Sequence, residues 1–403
     1  FLFKGLVLLI IMKFLFNKVE HPNYTHFDLK KVNQNKTILF NTFHKKISEK
    51  KEEIDDENIS KYWDKMKKIG NPFELIYTSY NKKRKNDSIS LYSPISRSYF
   101  KLWEIFYNYD IFKYASDNKT YQCSHLAEGP GGFMEASINY SNKKNKKNSY
   151  FWGLTLRPND EYVPDWNKIK KICKNKKNCQ IEYGDLYNYE DVFNFIFGLK
   201  YKEIDLVTAD GGFDYSSDFN GQELNSCQII YSEIAVALNI LKKNGCFVIK
   251  MFDLFSLTSI QCMQLLVENF KEVHIYKPET SRQANSEKYI VCLYFKNDCG
   301  PEYKENLLLN IKKWNELPKE KNEYIILNKQ INNHILYDLN KFNDQFVKNQ
   351  IQYIDGIIQM IKCKLDKDEY HSILKKQVFK AIEWCKKYNI PINEDSIYYK
   401  KNN

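Results

Sequence analysis

The sequence predicts an α/β fold: a mostly parallel sheet with helices on both faces and an antiparallel last strand, flanked by helical extensions. Three observations predict it. Between about residues 120 and 296, short apolar runs alternate with helical stretches, the pattern of strands linked by crossover helices. Polar or glycine-rich turns follow several of these runs, at the carboxyl edge where such sheets hold ligands. The last two runs are joined only by a turn, so they pair antiparallel at the edge of the sheet.

The elements follow in order. The opening FLFKGLVLLIIMKFLF is apolar, but Lys4 and Lys13 bracket only eight uninterrupted apolar residues, whereas a spanning helix needs about 20. No clear small-residue cleavage site marks it as a signal peptide. Met12 begins a more ordinary sequence, so residues 1–11 are expected to lie upstream of the natural start. Residues 12–90 are rich in Lys, Asn and Glu and read as an exposed N-terminal extension with helical stretches such as NISKYWDKMKKI. Residues 91–115 read as an amphipathic helix entered at Pro94, with Leu102, Ile105, Phe106 and Tyr109 on one face. CSHLAEG is a strand running into a glycine turn, and GGFMEASINY is the helix after it. YFWGLTL, CQIEYGDL, EIDLVTAD, CFVIKMF, EVHIYKP and KYIVCLYFK are strand-like. A long helix with Cys227, Ile230, Ile234 and Leu238 at helical spacing precedes CFVIKMF. The α/β unit closes at about residue 300. Residues 301–403 read as a helical C-terminal region, with YIDGIIQMIKCKL and QVFKAIEWCKKYNI as its clearest helices.

Composition narrows the function. Hydrophobic residues make up 43% of the chain, enough for a buried core and against global disorder. The net charge of +11 suits a polyanionic partner. Apart from Arg84, Arg97, Arg157 and Arg282, all 61 basic residues are lysine. A guanidinium offers a planar fork that lysine lacks, so the arginines are informative. The ten cysteines include no C-x-x-C pair and the seven histidines no H-E-x-x-H. Reduced thiols and no metal site are therefore expected. The runs at 142–147 and 170–177 are read as solvated lysine-rich faces or RNA contacts.

Five places carry chemistry. The turn Glu128-Gly129-Pro130-Gly131-Gly132-Phe133 lies between a strand and a helix, where glycines let a ligand approach the backbone. It lacks G-K-[ST], and Glu128 suits a cationic ligand better than a phosphate. YGDLYN and VTADGGF put Asp185 and Asp210 at strand ends. CFVIK puts Lys250 at the end of an apolar strand, where a lysine is costly unless it is paired or used. SRQANSEKY gathers Arg282, Asn285 and Glu287 in one loop.

Together SRSYFKLWEI, LAEGPGGF, GDLYN, ADGGF, IKMFDLF and TSRQANSEKY resemble the FtsJ-like RNA 2′-O-methyltransferases over about residues 91–296. FWGLTLRPND, DLVTADGGFD, FDLFS and KPETSRQANSEKYIVC are similar, more narrowly, to the cap-specific mRNA nucleoside-2′-O-methyltransferases, and WCKKYNIP to that branch's final helix. The resemblance implies a Rossmann-like fold that uses S-adenosylmethionine to methylate a ribose hydroxyl. It implies a catalytic tetrad of Lys101, Asp210, Lys250 and Glu287. Cofactor contacts would fall on Ala127, Glu128, Gly129, Pro130, Gly131, Gly132, Phe133, Asp185 and Leu186. Substrate contacts would fall on Arg97, Asn220, Gln222, Arg282 and Asn285, with Arg97 one helical turn before Lys101 so that both face the RNA. The implied partner is RNA, the capped 5′ end of mRNA, in the nucleus or cytoplasm and without a membrane; association with other capping or transcription proteins is a further implication. Methyl transfer to ribosomal or transfer RNA, and a catalytically inactive RNA-binding subunit, remain the alternatives. Two points stay open: WGLTL ends without the acid that usually holds the cofactor ribose, and Lys250 could act neutral as a base or charged as a stabiliser of the alkoxide.

Overall fold

The structure is a computed structural model that describes residues 13–17, 30–31, 38–78, 87–114, 120–146, 148–158, 163–174, 178–212, 220–317, 324–325 and 330–400. Met12 and the segment before it, Arg84, Lys147, the Asn159-Asp160 pair, residues 175–177 and the Phe213-Asp214 pair lie outside the described residues.

Strands β1 (Lys13–Leu15) and β2 (Lys30–Lys31) precede helices α1 (Asn41–Glu52), α2 (Glu57–Ile69) and α3 (Ser98–Tyr109). The alternating region then runs β3 (Gln122–Leu126), α4 (Gly132–Lys143), β4 (Tyr150–Thr155), α5 (Asn167–Lys174), β5 (Cys179–Tyr183), α6 (Tyr189–Gly198), β6 (Ile204–Ala209), α7 (Gln222–Ile240), β7 (Leu241–Met251), α8 (Leu257–Asn269), β8 (Phe270–Tyr276) and β9 (Lys288–Phe295). The chain continues through α9 (Pro301–Glu316), β10 (Tyr324–Ile325), α10 (Asn333–Cys363), α11 (Lys367–Lys387) and α12 (Ile397–Lys400). β2 and β10 form a separate two-stranded ladder.

The main sheet has the order β1-β8-β9-β7-β6-β3-β4-β5. β7, β6, β3, β4 and β5 run parallel to one another, as the alternation predicts. β8 and β9 pair antiparallel, also as expected. Their placement is different. β9 inserts between β7 and β8, and β1 covers the open side of β8 by pairing Lys13 with Tyr276 and Leu15 with His274. An exposed strand edge invites wrong pairing, and the N-terminal segment removes this one.

Every residue of β6 is buried. Helices cover both of its faces, so the strand reads as a continuous apolar run rather than an alternation. On one face α6, α7, α8 and α9 pack with Ile234, Leu238, Leu265 and Ile311 in a single cluster. On the other, α3, α4, α5 and α11 contribute Phe100, Trp103, Phe133 and Trp384. The predicted stripes hold: Leu102, Ile105, Phe106 and Tyr109 are buried on α3, as are Cys227, Ile230, Ile234 and Leu238 on α7. Asn188 and Asp366 cap α6 and α11 by accepting backbone N–H bonds, satisfying donors that helix starts leave orphaned.

Two expectations need correction. Residues 12–90 are not an exposed extension. Ile47, Ile54, Ile59, Trp63 and Met66 of the α1–α2 region bury against Val347, Ile354, Ile357 and Met360 of α10. The amide of Gln377 on α11 also donates to the carbonyls of Lys68, Ile69 and Asn71. The N- and C-terminal segments therefore share a helical unit in which their amphipathic faces cover each other. The thiols are not all reduced either. Cys173 at the end of α5 and Cys179 at the start of β5 form a disulfide. The other described cysteines are free.

Ile354 is fully buried in the shared helical core. Ile354→Ala is expected to lower stability by about 2–5 kcal/mol, read as a shift of the urea midpoint; an unchanged midpoint would show that this cluster is not a packed core.

Candidate active site

Four charged side chains meet at the carboxyl edge of the sheet. β6 ends at Ala209, so Asp210 leaves the strand there, while Lys250 is the penultimate residue of the parallel neighbour β7. Lys250 Nζ donates to the Asp210 carbonyl at 2.8 Å and lies 3.2 Å from its Oδ1. Lys101, in the first turns of α3, lies 2.7 Å from Glu287 Oε1 and donates to Oε2 at 2.9 Å. Tyr289 joins the two pairs. Its hydroxyl donates to Asp210 Oδ1 at 2.9 Å, and Lys101 Nζ lies 6.0 Å from its ring centroid. The two glycines after Asp210 make room: a β-carbon on Gly212 would lie 3.0 Å from Lys250 Nζ, and one on Gly211 would lie 2.3 Å from Glu233 Oε1.

The field within this cluster favours the charged forms. Burial pushes the Lys250 ammonium down, but Asp210, Glu287 and Glu233 push it up further, and the net shift is upward. Burial raises Glu287, yet Lys101, Lys250 and Lys277 together hold it well below the ordinary carboxylate range. Opposite charges in a low-dielectric site act strongly on each other. The direction of this balance favours the ammonium form of Lys250.

The glycine turn from Ala127 to Phe133 lies beside the cluster, between β3 and α4. Gly131 has φ +103°, a conformation that favours glycine, and a β-carbon on Gly132 would lie 2.2 Å from Ser96 Oγ. Phe133 is buried against Tyr289, 5.7 Å between ring centroids. Glu128 departs from expectation. It is buried, with its carboxylate turned to His125 Nδ1 at 3.1 Å and to the Thr208 hydroxyl, so its charge is engaged behind the turn rather than presented to a ligand. Across the edge, Asp185 accepts from the Tyr187 N–H with Oδ1, and its Oδ2 makes no hydrogen bond among the described residues. Leu186 beside it is buried. β4 ends without an acid, and Arg157 beyond it sits 5.3 Å from the Tyr183 ring.

The candidate substrate residues divide. Asn220 and Asn285 are exposed. Gln222 accepts a hydrogen bond from Ser286 at 2.7 Å, which brings the start of α7 to the loop that carries Asn285 and Glu287. The two arginines do not reach outward. Arg97 donates to the carbonyls of Phe73, Glu74, Tyr77 and Thr280. Arg282 makes a two-bonded pair with the Glu74 carboxylate at 2.7 and 3.1 Å. Their forks clamp the segment before α3 to the Glu287 loop. The cause is Glu74, which is 208 positions from Arg282 in the sequence and carries no local signal.

Two further residues escaped the sequence reading. Lys277, at the end of β8, donates to the carbonyls of Asn285 at 2.8 Å and Glu287 at 2.5 Å; burial pushes its amine down to about 7. Glu104 lies one turn beyond Lys101. It accepts from the Tyr276 hydroxyl, the Glu279 and Thr280 amides and the Trp384 indole, each within 3.0 Å. It therefore joins α3, the Glu287 loop and α11. Burial and the nearby Glu279 charge raise its carboxyl to about 7.

Glu104→Gln would turn an amide N–H₂ toward these donors and is expected to cost about 1–3 kcal/mol. Because the folded pKa is raised, the stability contributed by the native carboxyl is full below the ordinary value of 4.5 and is lost as pH rises through about 7. The gap between the native protein and the variant should therefore narrow from pH 5 to pH 8 in denaturant titrations; a widening gap would refute this.

Comparison with known proteins agrees with this geometry. Residues 94–295 match the sequence pattern of the FtsJ-like methyltransferases. The cap-specific mRNA (nucleoside-2′-O-)-methyltransferase 2 of Drosophila melanogaster is 29% identical over 226 residues, which is 53% of this chain and 31% of that protein. The corresponding methyltransferase 1 of Trypanosoma cruzi (strain CL Brener) is 34% identical over 182 residues, 44% of this chain and 49% of that one. Methyltransferase 2 of Pongo abelii is 36% identical over 181 residues, 43% of this chain and 23% of its own length. The chain thus spans half or less of the length of these relatives. The matched region runs from the entry to α3 through β9 and contains the glycine turn and all four charged residues, so the chain belongs to the FtsJ-like methyltransferase family.

Proposed function

We propose that the protein is an S-adenosylmethionine-dependent RNA 2′-O-methyltransferase that acts on a cap-proximal nucleotide of mRNA. The observation that carries this reading is the joined Lys101–Glu287 and Lys250–Asp210 pair beside the glycine turn. The cap-specific names of the relatives support the substrate class.

The site fits the cofactor. The glycine turn offers backbone to it, and Asp185 Oδ2 is an unengaged acceptor for an adenine amino group. Bound there, S-adenosylmethionine supplies an activated methyl group. The protein's own task is to hold the ribose hydroxyl in line and to manage its charge. Lys250, held as an ammonium, is placed to donate to the 2′-oxygen and stabilise negative charge as the hydroxyl proton departs to water. Asp210 and Tyr289 fix the direction of that amine. Glu287 and Lys101 hold each other in place and keep the local charge balanced, so that neither lysine is left unpaired.

Lys250→Ala is expected to lower methyl transfer to 7-methylguanosine-capped RNA by about a hundredfold or more while cofactor binding by calorimetry is retained. Turnover near that of the native protein would remove Lys250 from this role. Equal transfer to uncapped RNA would move the substrate to ribosomal or transfer RNA. The pH profile separates the two roles of the amine. The upward shift favours the charged form of Lys250, so kcat/KM should stay level between pH 7 and pH 9. A tenfold rise per pH unit over that range would make the neutral amine the base.

A further inference from the structure

A second concave surface lies away from the tetrad, between α2 and the turn from α10 to α11. It is a cavity of about 1180 Å³ with an apolar floor that includes Ile59, Met66, Ile358 and Leu365. Two of its lining residues are tyrosines that remain open to solvent, Tyr62 at 48% and Tyr370 at 40% exposure. Lys65, Lys362, Lys364 and Lys367 also line it.

The charges are unevenly engaged. Glu53 pairs with Lys50 at 2.6 Å. Asp56 caps α2, and Asp366 caps α11 through a capping box. Glu53 is thus engaged by Lys50, and Asp56 and Asp366 serve helix ends. The four lysines form no ion pair among the described residues. A groove lined by four lysines against three carboxylates, with the lysines beside exposed aromatic faces, complements a polyanion with planar groups. Single-stranded nucleic acid has that chemistry, since bases stack on aromatic rings and phosphates neutralise lysines. A polypeptide partner would use the apolar floor but leave the lysine cluster unexplained.

The groove is tied to the catalytic edge. α2 continues into the turn that carries Glu74, which grips Arg282. The amide of Gln350 on α10 donates to the Ala284 carbonyl at 2.9 Å, and Ala284 packs against the helical cluster that forms the groove floor. The loop that carries Glu287 therefore rests on the same helical unit as the groove.

We propose that this groove binds the single-stranded segment of the RNA substrate beyond the nucleotide that is modified; the identity of the substrate rests on the function proposed above. Bases would stack on Tyr62 and Tyr370, and the backbone would run along the lysines.

The test is fluorescence anisotropy on the full chain with 5′-labelled oligouridylates of about 4 and about 16 nucleotides, the range of single-strand site sizes, over a salt series. Lys362→Gln/Lys364→Gln/Lys367→Gln should weaken the long oligonucleotide about tenfold and flatten its logarithmic salt dependence by about 2. Tyr62→Ala/Tyr370→Ala should weaken it by about tenfold with the salt dependence unchanged. The short oligonucleotide should bind all three proteins alike. Equal affinity of all three for the long oligonucleotide would overturn the proposal and leave the groove to a polypeptide. Binding is read without methyl transfer, so the two readings fail separately. A native chain that methylates nothing but binds long RNA more tightly than its variants would keep the groove and lose the catalytic reading. Methylation of capped RNA with equal affinity in all three proteins would do the reverse.

Discussion

Two lysines and two carboxylates lie together at the end of a buried sheet, and the rest of the structure is arranged around the cost of keeping them there. A charge removed from water is tolerated only when it is paired and hydrogen-bonded. Each member here has a partner: Lys250 with Asp210, Lys101 with Glu287, and Tyr289 between the pairs. The parallel strands β6 and β7 carry Asp210 and Lys250 out side by side. That placement is rigid because both strands are covered on both faces. The mutual field then shifts Lys250 upward and Glu287 downward, so the same interaction that makes burial tolerable also favours their charged forms.

The other half of the site rides on a loop, and a loop needs ties. Lys277 holds the carbonyls of Asn285 and Glu287 from below. Glu104 holds the amides of Glu279 and Thr280 from the side. Arg282 and Arg97 hold the loop to the segment before α3 through Glu74 and the Thr280 carbonyl. These bonds are buried or half-buried, where leaving a polar partner unsatisfied is expensive. Through the Trp384 indole the C-terminal helix α11 enters the same network, so a segment remote from the chemistry helps to position it.

Much of this was legible in the sequence. The seven strand-like runs from CSHLAEG to KYIVCLYFK all form strands of the main sheet, because fully buried parallel strands leave dense apolar runs between crossover helices. Lys101, Asp210, Lys250 and Glu287 come together in the structure. The reading failed where partners lie far apart along the chain. Arg97 and Arg282 were expected to contact the substrate, but Glu74 and backbone carbonyls take them. Glu128 looked like a neighbour for a cation, but His125 and Thr208 engage it from behind. The polar texture of residues 12–90 concealed a stripe of Ile47, Ile54, Ile59 and Trp63 that packs with apolar residues of α10.

The sequence by itself determined the sheet, its helices and the residue types at its carboxyl edge, since periodicity and turn chemistry act over a few neighbouring residues and are written locally. Only the tertiary structure decided three things: the insertion of β9 between β7 and β8, the joining of the two ends of the chain into one helical unit, and the upward shift of the Lys250 amine. Each depends on contacts between residues far apart in sequence. The last is a balance of burial against three carboxylates, which exists only once the fold has brought them within reach of one amine.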